Sequence, residues 1–423
     1  MATTTPRPRA SRWVSSTFAS LDLRHFRVLW IGTALSFIGF MMSSTAQNVV
    51  AFDLTGNNGA VGLVMFGQGM AMLILSPFGG ALADRMSKRL LLLVCQSAIG
   101  LTMFATGVLI ATGAITVLLL AAGAFVMGTM FSFLGPARQA YIGDLVAPER
   151  RGNAVALTQV AMNMTRVVGP FLAGGLLAWS AVGSAGTYFA MAALYVVVVA
   201  TLMQLPPTRS TSAGRPGMLT EIAGGLRHIR ENPRLTQLVV GFVLVTIVGF
   251  PYMTVLPGFA TRDLDVGTAG YGVLLGVSAL GGLIMSLAVA SLADSARAPL
   301  VLLLSSAGIG VTLILTGLAP SFALALVTMF GVGGAVSGFQ TLNNALALRE
   351  TGPAYYGRVM SITMLAFSGT SLIALPIGML ADAIGERATL IMMGAGVCLA
   401  VGLLRMWAVS QPAVQPVRLG ETE

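Results

Sequence analysis

Charge is what this chain has least of. Asp, Glu, Lys and Arg together make up 9% of its 423 residues, against about 25% in soluble domains, which excludes a normally solvated surface. Cysteine is nearly absent. Cys95 and Cys398 both sit inside apolar runs and offer neither a disulfide framework nor a CxxC pair; each reads as a small buried hydrophobe. Two histidines, His25 and His228, leave little from which to build a metal site or a general base, so catalysis is not expected. No GxxxxGK(S/T) phosphate loop occurs, so the chain does not itself hydrolyse nucleotide, and no cofactor or metal is expected.

What the chain has instead is apolar length. Mean hydropathy is +0.85. Runs such as "VGLVMFGQGMAMLILSPFGGALA" (61–83) and "RLLLLVCQSAIGLTMFATGVLIATG" (89–113) exceed the roughly 20 residues that cross about 30 Å of hydrocarbon. Spans are read at 28–52, 60–81, 90–112, 115–140, 153–179 and 186–204, then at 236–258, 269–291, 299–318, 321–347, 358–381 and 388–407. Because lipid admits only helices and closed barrels, this is an all-α polytopic membrane protein of twelve helices in two six-helix, pseudo-symmetric halves.

The net charge of +9 does not point to nucleic acid, because of where it falls. Of the 24 Lys and Arg, all but Arg166, Arg262 and Arg387 lie on the tails or on alternate loops, as the positive-inside rule requires. This reading puts the tail 1–27, the linker 206–235 and the tail 408–423 in the cytoplasm and the halves 28–205 and 236–407 in the membrane. The linker opens on Pro, Ser and Gly. It then offers a short amphipathic helix, Leu219–Ile229, with Arg227 and Arg230 near anionic headgroups. The halves repeat: "ALADR" (81–85) returns as "SLADS" (291–295), and "GPFLAGGLL" (169–177) is echoed by "LPIGMLADA" (375–383). Duplicated halves around a central pathway are the logic of secondary transporters.

Two constellations stand out. The first is the loop "GALADRMSKR" (80–89), with Asp84, Arg85, Lys88 and Arg89 in six positions. Gly80 lets neighbouring helices approach. Asp84, costly to leave unpaired at a membrane edge, has Arg85 and Arg138 as candidate partners, and Asp144 can pair with Arg85 or Arg89. The competing reading is that these charges only set topology. The second is the fifth span, where Gln159, Asn163, Arg166 and Pro170 fall within about 60° of one another at 100° per residue. An arginine near the middle of a span is a functional-site hypothesis by default, and Gly169 and Pro170 thin and break the helix beside it. The alternative is a snorkelling side chain. In the tenth span Gln340, Asn343 and Asn344 share a face and read as cavity lining or interhelical bonds.

"GGALADRMSKR" resembles the loop signature between the second and third helices of the major facilitator superfamily, with Ser87 standing where a second glycine is usual. "ASLADSARAP" (290–299) is its degenerate second copy. "PARQAYIGDLVAPERRGNAVALTQ" (136–159) and "NMTRVVGPFLAGGLL" (163–177) are similar to the group containing enterobactin exporters and macrolide-efflux proteins. "GPFLAGG" also resembles the glycine-proline signature of antiporter fifth helices, with one extra residue between the proline and the glycine pair. The resemblance, covering residues 24–407, implies alternating access and a latching role for Asp84 with Arg138 on the inner face.

Proton-driven transporters usually hold a carboxylate within the membrane, yet every acid here maps to a loop or a span end. Asp53, at the outer end of the first span, is the coupling candidate, able to approach Arg166 if the first and fifth helices bring them together; Asp382 is a weaker one. The sequence-level expectation is thus an exporter of an amphipathic small molecule (drug, macrolide or siderophore-like) with protons as the counter-substrate. The alternatives are a nutrient importer or uniporter and, from a different class, a non-transporting receptor or assembly factor. The last is disfavoured by short loops.

Overall fold

The computed structural model describes residues 19–207, 218–290, 292, 295–351 and 355–410. After a 3-10 turn at Ala19–Asp22 come α1 (Arg24–Thr55), α2 (Asn58–Arg85), α3 (Lys88–Ala111), α4 (Val117–Leu145), α5 (Pro148–Ala178) and α6 (Gly183–Met203). A linker helix α7 (Met218–Glu231) leads to α8 (Pro233–Gly249) and α9 (Tyr252–Gly258), which with a π-helical turn at Phe259–Asp263 form one span. The chain continues through α10 (Gly267–Ala290), α11 (Ala298–Leu318), α12 (Phe322–Glu350), α13 (Tyr356–Ile384) and α14 (Glu386–Ser410). Eleven of the described helical stretches are long and apolar enough to cross a membrane; within α13 the apolar described run is Ser368–Ile384. The architecture is an all-α bundle in two halves, as the resemblance of the loop signature implies.

Lipid replaces water as the solvent of this surface, which is why large apolar side chains point outward: Leu118 is 74% exposed and Leu287 70%. The buried interior is not correspondingly polar. It is filled by small residues and by Tyr141, Tyr188 and Tyr195, with polar groups paired across helices, as where Tyr195 donates to the Ser36 carbonyl at 3.2 Å and Trp30 to that of Leu157 at 2.9 Å.

Helix starts follow local chemistry. Ser87, Thr116, Asn232 and Ser321 each accept the backbone N–H three residues on, satisfying one of the orphan donors of a first turn. Ser87 thereby explains its presence in the loop signature. Its φ is −58°, so the position needs no glycine, and the hydroxyl begins α3.

Two expectations are corrected here. The seventh span runs over Pro233–Asp263, longer than 236–258, and is interrupted because Pro251 supplies no N–H. The linker helix does not simply lie on headgroups. Its Ile229, 3% exposed, packs with Leu235, Val239, Ala347 and Val359, and His228 stacks on Tyr355 at 4.2 Å. Arg227 and Arg230 stay exposed.

The two halves meet along α2 with α13 and α5 with α10. Call the end carrying α7 the linker end and the opposite one the far end. At the crossing of α5 and α10, a Cβ on Gly272 would stand 2.6 Å from the Gly174 Cα, so only paired glycines permit the approach.

Candidate functional site

The basic loop is built into one half. Lys88, at the start of α3, donates to Asp144 on α4 at 2.6 Å, with the lysine side chain 8% exposed. Arg89 donates to the carbonyls of Leu202 and Met203, at 3.2 and 2.6 Å, meeting the orphan carbonyls at the end of α6. Asp144 therefore pairs with Lys88 rather than with Arg89, whose guanidinium is turned to the end of α6, while the expected Arg85 partner lies outside the described side chains. These contacts brace α3, α4 and α6 against one another and do not cross between halves. Gly80, Asp84 and Arg85 are helical and Asn163 lies in α5, but their side-chain positions fall outside the described residues. Arg138, 7% exposed, has its guanidinium 5.0 Å over the Phe37 ring, within cation–π range.

Between the halves the described polar contacts lie toward the far end. Asn48 on α1 donates to the Tyr271 hydroxyl on α10 at 3.1 Å, and Thr254 on α9 to the Met65 sulfur on α2 at 3.2 Å. On α5 the face carrying Pro170 and Gly174 packs against Gly272. One to three turns nearer the linker end, that face carries Gln159 and Arg166, both exposed. The same face thus passes from packed at Pro170 and Gly174 to exposed at Arg166 and Gln159, and Arg166 has no ion-pair partner among the described residues. On α12, Asn343 is 1% exposed and its amide nitrogen has no partner among the described residues, while Gln340 and Asn344 are half-buried. The trio therefore splits, with Asn343 packed inward.

Asp53 is exposed near the end of α1. Gly169 lies against Met41, which sets the register of α5 on α1. At 1.5 Å per residue Asp53 and Arg166 are about 20 Å apart along the helices, so they do not meet in this state.

Sequence reasoning missed a polar clasp at the far end. Asn58 and Gly59, opening α2, direct their backbone N–H groups to Asp382 near the end of α13, each at 2.7 Å. The Asn58 amide donates to Asp382 at 3.1 Å and to Glu386 at 3.0 Å. Glu386 also accepts from Arg262 at 2.9 Å, and Arg262 lies 5.1 Å over Phe52. Alongside, Arg387 pairs with Asp263 at 2.9 Å and donates to the carbonyls of Gly317 and Ala319. The available signal was that Arg262 and Arg387 are the basic residues off the linker end, each next to acids in "TRDLD" (261–265) and "DAIGER" (382–387).

A family model described as transmembrane secretion effector matches residues 15–418. The chain is 27% identical over 340 residues to the enterobactin exporter EntS of Shigella boydii serotype 18, covering 79% of each, and 26% identical over the same length and shares to EntS of Escherichia coli O139:H28. Its fold is similar to a bacterial homologue of the human lysosomal transporter Spinster in an inward-facing, occupied conformation (TM-score 0.74, 14% identity, covering 96% of this chain and 98% of that one). It is also similar to the nucleoside transporter NupG (TM-score 0.70, 14% identity, 89% and 99%). A two-halved bundle of membrane-crossing helices is thus matched along nearly its whole length by one family: the chain is a membrane transporter, not an enzyme, and belongs to the transmembrane secretion effectors of the major facilitator type.

Proposed function

We propose that the protein exports an amphipathic small molecule across the cell's inner membrane by alternating access, in exchange for protons. The observation that carries this reading is Arg166, an exposed cation on the face of α5 that packs against α10 one turn further on, at Pro170, Gly174 and Gly272, and we take that face to line a cleft between the halves. A charge at that depth is expensive unless water or a ligand meets it. With the linker end in the cytoplasm, substrate enters there, its polar group faces Arg166, Gln159 and Asn163, and its apolar body lies against the surrounding helices. The named exporter relatives support the outward direction. Asp53, exposed at the far end of α1, is a carboxylate on the outer side that takes up the counter-proton in this reading.

Everted vesicles containing the monomeric protein, acid-loaded, test this directly. On adding a lipophilic cation, a macrolide or a catecholate siderophore in turn, exchange predicts alkalinisation of the lumen with at least one of them, and none in vesicles lacking the protein. Uptake of labelled compound with no proton movement would replace antiport by uniport. Silence across the panel with inserted protein would turn attention to nutrient import.

A further inference from the structure

We infer that Asn58, Asp382 and Glu386, with Arg262 behind them, form the gate that closes the far end, and that its hinge-pin is a helix cap supplied from the opposite half. The first N–H groups of α2 need acceptors, and Asn57, which precedes them, makes no side-chain cap. Asp382 takes that place from α13: one carboxylate oxygen accepts from Asn58 and the other from Gly59, both at 2.7 Å. These are charge-assisted bonds aimed at the positive end of a helix dipole. Asp382 itself occupies the last turn of α13, the negative end, where a carboxylate is disfavoured. Its charge suits the neighbouring half and not its own helix.

The Asn58 side chain adds the second tie. It is wholly buried, and its two amide hydrogens are divided between Asp382 and Glu386, which determines its orientation. Its Oδ1 consequently has no donor among the described residues. The closed gate therefore leaves one buried acceptor unsatisfied, and opening would hydrate it. A Cβ on Gly378 would come within 2.4 Å of the Asn58 carbonyl oxygen, so α13 can approach the start of α2 only because that position is glycine. Arg262 is delivered by the π-helical turn at Phe259–Asp263, and its 2.9 Å pair with Glu386 lies within one half. It positions Glu386 for Asn58 and offsets part of the negative charge beside Asp382, 3.8 Å away. The nearby Asp263 is held by Arg387 and does not reach across.

The inference rests on alternating access but needs no substrate to test. Full-length protein in lipid nanodiscs, with Cys95 and Cys398 replaced by alanine, would carry spin labels at Leu54→Cys and Ile384→Cys, one in each half at the far end. Asn58→Asp puts a third carboxylate against Asp382 and Glu386, and Asp382→Ala removes the cap. Each should raise the population with a lengthened interspin distance by about ten-fold. Combining Asn58→Asp with Asp382→Asn restores a donor–acceptor pair and should return the short distance, which a merely unfolded variant would not do. Unchanged distances in both single variants, or no recovery in the double variant, would overturn the gate. A shifted distance in a protein that moves no compound would leave the gate standing and remove the export reading.

Discussion

At the scale of the single residue, two side chains have separable and measurable roles. Arg166 is exposed and has no carboxylate paired with it among the described residues, so truncation leaves no buried counter-charge among them and should not unfold the protein. Arg166→Ala is expected to lower the transport rate about ten-fold or more, the size of a lost charged hydrogen bond, while the amount in the membrane stays unchanged. Arg166→Lys should restore part of the rate. Normal efflux by the alanine variant would take Arg166 out of the pathway. Ser87 is the converse case, a stability residue in a loop whose family resemblance suggests gating. Its hydroxyl accepts from Leu90 N at 3.3 Å, so Ser87→Ala should cost about 1 kcal/mol and Ser87→Gly only a few tenths. Thermal unfolding in detergent would rank them; equal losses would show that the cap contributes nothing.

At the scale of the element, the helices were legible because hydrocarbon leaves the backbone so little choice: apolar length alone reveals them, and a capping residue marks the start of only some. Less legible was what each end touches. The clasp joins Asn58 to Asp382 across 324 positions, and each partner alone resembles an ordinary boundary residue. The pairing of Lys88 with Asp144 rather than of Arg89 with it depends on which side chain α3 turns toward α4, a rotation that composition does not encode. The linker helix was recognisable by its amphipathic pattern, but whether its apolar side meets lipid or protein was decided by Ala347 and Val359 arriving from elsewhere in the chain. Close crossings make the same point in testable form. Since α5 and α10 touch through Gly174 and Gly272, Gly272→Val should wedge the halves apart on the far side. Cross-linking between cysteines placed across α5 and α10 should then fall severalfold, and undiminished cross-linking would mean the helices can rearrange around a larger residue.

At the scale of the whole molecule, charge decides which way the bundle sits. The linker end gathers Arg24, Arg27, Lys88, Arg89, Arg150, Arg151, Arg227, Arg230, Arg234 and Arg297, each worth about 1 kcal/mol against an anionic leaflet. At the far end Asp53, Asp263, Asp265, Asp382 and Glu386 outnumber Arg262 and Arg387, and both arginines are engaged by carboxylates. Two basic residues at that end against ten at the linker end is the bias by which the positive-inside rule sets orientation. By that rule the asymmetry predicts a cytoplasmic linker end. In that orientation the proposed cleft at Arg166 would open to the inside and the clasp would be a barrier against the outside. A membrane-impermeant thiol reagent separates the two orientations. On intact cells, Thr112→Cys, at the exposed turn between α3 and α4, should be labelled rapidly. Glu149→Cys, exposed at the start of α5, should react only in everted vesicles. The opposite pattern would invert the molecule, put Arg166 in contact with the exterior, and convert the same cleft and clasp from the parts of an exporter into those of an importer.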